Sequence, residues 1–287
     1  MTDWMKEAAA LLPQRHNDSN KYTYGNLLLV AGSENYAGAG ILTLKAAGRS
    51  GVGLITAAVP EAVASLMRLT APYAISMSVT RAAWLDAESV DHIAAMIPGK
   101  TAFAVGPGLT READASLIEM LLDSELPGVL DADALNLISM HPELRAKLSS
   151  RHILTPHLGE MYRLNGNIKG EPGDLALNLS EDLKCTVLLK GSTTYLASAG
   201  QLYSAAPGTA GMACGGSGDV LTGLIGGFLA QGMSTWDAAK AGFLIHGLAG
   251  QIAAEKYGSI AMNAGDITEQ IGEAMRRIAS CDSAALG

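Results

Sequence analysis

The chain has 287 residues, 48% of them hydrophobic and 17% charged, and a formal net charge of −8. This composition supports a large core and excludes a disordered chain. The negative balance argues against nucleic acid or an anionic membrane as the main partner, though not against a local basic pocket for phosphates. The three cysteines, Cys185, Cys214 and Cys281, lie far apart and are odd in number, so neither a disulfide framework nor a CxxC metal motif is expected.

Residues 1–25 read as a short amphipathic helix followed by a polar segment at 15–20. The first ten residues carry Asp3, Lys6 and Glu7 and lack a basic start followed by an apolar block, so no signal peptide is expected. The run 27–31 (LLLVA) is a strand buried on both faces. A glycine-containing loop at 32–40 leads into a helix at 41–49, a strand at 52–59, a helix at 61–70 and a strand at 74–79. A helix at 88–97 is stopped by Pro98-Gly99. Strands follow at 102–105, 128–130, 152–154 and 186–190, with helices at 112–122, 134–138 and 175–183. Residues 195–197 and 202–204 form a hairpin, and helices at 220–231, 236–256 and 267–279 complete the chain. Ser234-x-x-Asp237 reads as a capping box for the second of these. The apolar run 220–230 is too short to span a bilayer, so a cytoplasmic protein is expected.

Short apolar strands alternating with helices predict an α/β fold, a mostly parallel sheet covered on both faces. Residues 1–287 are expected to form a single domain, since no linker, repeat or low-complexity segment interrupts them. Ligands bind at the carboxyl ends of such strands. The polar and glycine-rich clusters agree, because each follows a strand: 32–40, 106–108, 131–136, 155–160 and 190–194.

Three familiar motifs fail. Gly99-Lys100-Thr101 lacks the glycine that a P-loop needs at Ala94, and it precedes a strand rather than following one. No GxGxxG follows a strand, and Asp219 occupies the position that would complete a nucleophile elbow around Ser217. The six histidines show no zinc-ligand spacing, and no metal-ligating residue is assigned.

The most informative stretch is 208–231, GTAGMACGGSGDVLTGLIGGFLAQ. A glycine-rich turn feeding a buried helix leaves backbone N–H groups without partners at the positive end of the helix dipole. Gly216, Ser217 and Gly218 are therefore candidates for an anion hole. Asp219 is either a cap on that helix or a base placed to deprotonate a hydroxyl beside a phosphoryl donor. Lys190-Gly191-Ser192-Thr193-Thr194, at a strand end, is either a surface turn or a phosphate contact built from a point charge and hydroxyl donors. In DADALN (131–136), one acid caps the following helix, and the other is free to touch substrate or, through water, Mg²⁺. His157, in TPHLGE, is a structural residue or a ligand contact, and Glu160 is a first-turn helix acid. Gly38, Gly40 and the Gly106-Pro107-Gly108 turn let backbone approach a ligand.

Taken together, KYTYGNLLLVAGS, GAGILTLKAAGRSGVG, VGPGL, DADALN, TPHLGEMYRL, LLKGSTT and GTAGMACGGSGDVLTGLIGGFLAQG closely resemble the NAD(P)H-hydrate dehydratase family of the ribokinase-like superfamily. GSGD alone would suggest only a ribokinase-like kinase; the combination with TPHxGE and DADALN is far more specific. The resemblance runs from about residue 21 to 279 and implies a ribokinase-like three-layer αβα sandwich. It implies a lyase that uses ADP or ATP, with Mg²⁺, to dehydrate the S epimer of hydrated NADH or NADPH. On this resemblance Asp219 is the base and a substrate contact, while Ala39, Gly108 and His157 also contact the hydrated dinucleotide. Lys190, Gly191, Ser192, Thr193, Thr194 and Gly218 contact the nucleotide. The resemblance further suggests a homotetramer. It also suggests a separate epimerase, since no fused epimerase domain is found in the sequence. Thr209-Ala210 stands where the family usually has Asn-Pro, Cys214 where Thr is common and Leu158 where Pro is common. The competing readings are a ribokinase-like kinase for a vitamin precursor and a non-catalytic nucleotide-binding protein.

Overall fold

The computed structural model describes residues 3–283. Its apolar runs become the strands of one sheet: β1 (Asn26–Val30), β2 (Leu54–Pro60), β3 (Ile75–Thr80), β4 (Ala102–Val105), β5 (Gly128–Leu130), β6 (His152–Leu154), β7 (Thr186–Leu189), β8 (Thr194–Ser198) and β9 (Gln201–Ala205). The order is β3-β2-β1-β4-β5-β6-β7-β8-β9. All pairs up to β7 are parallel, and β7-β8-β9 is an antiparallel meander that includes the expected hairpin.

Side chains alternate across a strand, and β1 shows what this does here. Leu27, Leu29 and Ala31 enter one core, while Leu28 and Val30 enter the other. The first core is covered by helices Ala37–Arg49, Glu61–Thr70, Ser217–Ala230, Thr235–Tyr257 and Ala264–Ser283. The second is covered by Ala87–Ala94, Ala115–Asp123, Asp133–Met140, Leu158–Leu164 and Pro172–Leu183. The result is the expected three-layer αβα arrangement. No helix among the described residues is long and apolar enough to cross a membrane.

Several boundaries differ from the sequence expectation. The helix after β1 begins at Ala37, following a short 3₁₀ turn at Glu34–Tyr36, so Ala39 lies in its first turn rather than in a loop. The Ala115–Asp123 helix starts later than expected because Asp114 caps it, accepting the Ser116 N–H at 2.9 Å. Pro172 starts its helix three residues earlier than expected, its fixed φ suiting a first-turn position. The helix Pro142–Arg145 has no counterpart in the sequence expectation, whereas the helix Leu158–Leu164 carries Glu160 in its first turn as expected. Ser234 does cap its helix, accepting the Asp237 N–H at 3.1 Å, but its hydroxyl also donates to the Asp237 carboxylate at 2.7 Å.

The strand order reverses at β1, whose neighbours are β2 and β4, and the crevice above such a switch point is where ligands bind. The Ser217–Ala230 helix is driven toward that crevice by its own lack of bulk. Every residue from Val220 to Ala230 is buried. A Cβ on Gly223 would collide with the carbonyl oxygen of Thr43, and one on Gly226 would lie 2.9 Å from the Ala104 Cβ. The helix thus packs against both the sheet and the Ala37–Arg49 helix at backbone distance. Gly223→Ala should cost about 1–3 kcal/mol despite its better helix propensity, because packed backbone must move. The check is the denaturation midpoint, and an unchanged midpoint would contradict this packing.

Candidate functional site

The helix Ser217–Ala230 begins without a side-chain cap. Its N-cap is Gly216 at φ +90°, a conformation that favours glycine, and a Cβ there would also lie 2.5 Å from Leu42 Cδ1. The Ser217 N–H reaches back to the Cys214 carbonyl at 3.4 Å. The N–H groups of Gly216, Gly218 and Asp219 have no acceptor among the described residues, which leaves three donors at the positive end of the dipole. Asp219 is not a cap: it lies in the first turn, and its carboxylate accepts no hydrogen bond among the described residues. Burial, with Asp131 and Asp133 nearby, raises its pKa to about 6 against the pull of Lys190.

Lys190 closes the floor of this turn. Its ammonium donates to Asp131 Oδ1 at 2.6 Å, with the lysine side chain 20% exposed and the aspartate 1%. The Thr222 hydroxyl donates to the other Asp131 oxygen at 2.7 Å. An added Cβ on Gly218 would sit 3.2 Å from Lys190 Nζ, a tight contact that glycine avoids at the helix start. Burial alone would lower the Lys190 pKa, but Asp131, Glu160 and Asp219 outweigh it and hold the ammonium charged. The sequence expectation for DADALN is therefore corrected. Asp131 is engaged by Lys190 on one carboxylate oxygen and by Thr222 on the other. Asp133 is not a cap either, because the N-cap position belongs to Ala132 at φ +49°. Instead, Asp133 accepts the Thr110 N–H at 2.9 Å and the Asn136 amide at 3.0 Å, and Asn136 in turn accepts Arg163 Nε at 2.9 Å. This chain of bonds ties the 106–110 turn to the start of the next helix.

His157 is brought to Lys190 by the sheet itself. The two residues form an isolated parallel bridge, and the Lys190 N–H donates to the Pro156 carbonyl at 2.8 Å. His157 also makes a capping box: its Nδ1 accepts the Gly159 N–H at 2.9 Å, and its own N–H donates to Glu160 Oε2 at 2.8 Å. Burial, Lys190 and Arg163 all lower its pKa, so the ring is neutral at neutral pH with its free proton on Nε2. Burial raises Glu160 to about 7 despite Lys190. His157 is therefore a helix cap, and its side chain is still 57% exposed, with Nε2 3.6 Å from Glu160 Oε1.

The remaining expected residues fall into two groups. Gly191 and Ser192 are exposed in the β7–β8 turn, and the hydroxyls of Ser192, Thr193 and Thr194 have no partner among the described residues. Gly108 packs on the opposite wall, where a Cβ would lie 2.7 Å from the Tyr36 carbonyl oxygen and 3.0 Å from the Ala39 Cβ. Sequence reasoning missed Thr222, Arg163 and His246. His246, from the long apolar helix, is buried with Nε2 3.4 Å from the Ser217 hydroxyl, and burial followed by Lys190 lowers it to about 4. Its signal was a lone polar residue in the run AGFLIHGLAG.

A carboxylate with unengaged oxygens, three free N–H donors and a fixed ammonium converge on one turn. That arrangement can accept a proton from a hydroxyl while stabilising charge on a neighbouring phosphoryl group.

Comparison with known proteins identifies relatives of the chain. A family model described as NAD(P)H-hydrate dehydratase matches residues 27–273. The bifunctional NAD(P)H-hydrate repair enzyme Nnr of Moorella thermoacetica is 37% identical over 276 residues, covering 93% of this chain and 52% of that protein. The chain spans about half the length of the curated relatives of this kind that it matches. A ribokinase-like superfamily protein of Enterococcus faecalis V583 has a TM-score of 0.83 at 25% identity, covering 96% of this chain and 95% of that one. The ADP/ATP-dependent NAD(P)H-hydrate dehydratase of Bacillus subtilis, co-crystallised with ATP/Mg²⁺, has a TM-score of 0.79 at 27% identity, covering 96% and 98%. The expected ribokinase-like fold is the fold found.

Asp131→Asn should destabilise the protein by about 3–5 kcal/mol, since it strands a mostly buried ammonium. Adding Lys190→Met should restore most of that loss. Chemical denaturation of the two variants checks this, and a double variant no more stable than the single one would contradict it.

Proposed function

The chain belongs to the NAD(P)H-hydrate dehydratase family, and from that premise we propose that it uses ADP or ATP to remove water from the S epimer of hydrated NADH or NADPH. The observation that carries this reading is Asp219: an unengaged carboxylate beside free helix N–H groups and the Lys190 ammonium.

Asp219 accepts the proton of the ring hydroxyl as its oxygen attacks the terminal phosphorus of the nucleotide, and the bond to the leaving nucleotide breaks. The ring carbon–oxygen bond then breaks with phosphate as the leaving group. A proton leaves the neighbouring carbon, and the ring double bond is restored. Hydroxide is a poor leaving group at neutral pH; phosphorylation removes that obstacle. With a pKa near 6, Asp219 is mostly ionised at neutral pH and yet basic enough to take the proton.

Backbone N–H groups at 216, 218 and 219 hold the transferring phosphoryl group, with Lys190 as a fixed counter-charge. The free hydroxyls of 192–194 bind the rest of the nucleotide. Ala39, Gly108 and the exposed side chain of His157 wall the hydrated dinucleotide. No three His, Cys, Asp or Glu side chains among the described residues are grouped to hold a metal ion. Mg²⁺ keeps waters and substrate phosphates, so it fits here as an ion carried on the nucleotide, where it would neutralise phosphate charge. In the same reading the protein works in the cytoplasm as a homotetramer, on substrate supplied by a separate epimerase.

Asp219→Asn should lower kcat by about 10²-fold or more while nucleotide still binds; near-normal turnover would sink the assignment. In the unaltered protein kcat/KM should fall as the pH drops below about 6, where Asp219 takes up its proton. Stability has the opposite sense. The folded pKa is raised, so the neutral acid's contribution is full below its ordinary pKa and lost as the pH rises through about 6. Asp219→Asn should therefore be more stable than the unaltered protein at neutral pH, and a lower melting temperature would contradict this account. One free phosphate should appear per reduced nicotinamide formed; phosphate retained on the substrate would indicate a kinase instead.

A further inference from the structure

Beside the walls assigned to Ala39 and Gly108 lies a cavity of about 620 Å³ that the chemistry above does not use. Small-molecule sites of roughly 300–1,000 Å³ are common. A nucleoside phosphate fits such a space. Two aromatic rings line it, Tyr36 at 59% and Trp84 at 40% exposure. Arg111 lines it as well, exposed and in no ion pair among the described residues. Glu112 lies next to Arg111 on the same wall. Ser33 is 2% exposed, yet its hydroxyl in this wall has no partner, although it stands at the N-cap of the 34–36 turn. A buried hydroxyl without a partner costs stability unless something supplied from outside bonds it.

These groups match the parts of a nucleoside phosphate. Aromatic faces stack on a base. A carboxylate and a hydroxyl pair with a ribose diol, as an acidic side chain does in dinucleotide folds. A guanidinium binds phosphate by charge-assisted bonds. Continuity with the reacting centre is also built in. Tyr36 packs on Gly108 at one end of the cavity, and Asp133, also in its wall, is close enough to raise the pKa of Asp219.

Resting on the dehydratase reading, we infer that this cavity holds the unreactive adenosine end of the hydrated dinucleotide, with Tyr36 and Trp84 against the base and Arg111 on a phosphate of that half. The phosphate is either the 2′-phosphate of the NADP form or the adenosine-side phosphate common to both forms.

The test compares three hydrated substrates, the NADH, NADPH and reduced nicotinamide mononucleotide forms, in the unaltered protein and in Trp84→Ala and Arg111→Ala. Both side chains are exposed, so both variants are expected to fold. Trp84→Ala should lower kcat/KM about tenfold or more for both dinucleotides, through KM, and leave the mononucleotide unchanged. Arg111→Ala should likewise spare the mononucleotide. Loss confined to the NADPH form assigns Arg111 to the 2′-phosphate, and equal loss on both dinucleotides assigns it to the adenosine-side phosphate. Unchanged dinucleotide kinetics in both variants, or an equal loss on the mononucleotide, would overturn the inference and leave the dehydratase reading standing. An unaltered protein inactive on all three hydrates would overturn the dehydratase reading and this inference with it.

Discussion

Lys190 and Asp131 meet at 2.6 Å beneath the first turn of the Ser217–Ala230 helix, and Thr222 of that helix holds the second aspartate oxygen. One contact therefore fixes three things at once: the end of β5, the end of β7 and the rotation of the helix whose first N–H groups are left unpaired. Breaking a buried pair from one side is costly because the remaining charge stays stranded. The pair also sets the electrostatics of its neighbours. Lys190 pulls against the burial that raises Asp219 and Glu160, and it helps keep His157 and His246 neutral.

The glycines of the 208–231 stretch serve two separate ends. Those in the helix body, such as Gly223, let it sink against the Ala37–Arg49 helix and the sheet. Gly216 and Gly218 act at the helix start, one by taking a positive φ and the other by admitting the Lys190 ammonium. Glycine in a helix costs helix propensity, and dense burial from Val220 onward offsets that cost. Asp219 adds a further cost by remaining ionised at neutral pH in a site that favours its neutral form. The base proposed at Asp219 would need that compromise.

Much of this was legible in the sequence. The buried parallel strands read as short apolar runs because both faces are covered, and each polar cluster after a strand does lie at the expected edge of the sheet. The uncapped helix start was legible for a similar reason: GGSGD before an apolar run leaves N–H groups without side-chain partners. What the sequence could not show was which partner each acid would choose. Asp131 and Asp133 are two residues apart and look alike, yet one faces Lys190, 59 residues on, while the other faces the Thr110 N–H. Only the pairing of β5 through β6 to β7 decides that. Glu160 did mark the start of the short Leu158–Leu164 helix, but no local signal showed that a histidine would act as its cap. Thr222 and His246 were hidden in apolar runs, where a single polar residue gives no hint of its partner.

The most direct test of the account is the near-ultraviolet absorbance of reduced nicotinamide, followed with hydrated NADH, Mg²⁺ and either ADP or ATP in separate reactions. The account predicts a rise that requires both the protein and the nucleotide, with the faster reaction naming the preferred donor. No rise with either nucleotide, from protein that still binds nucleotide, would contradict it.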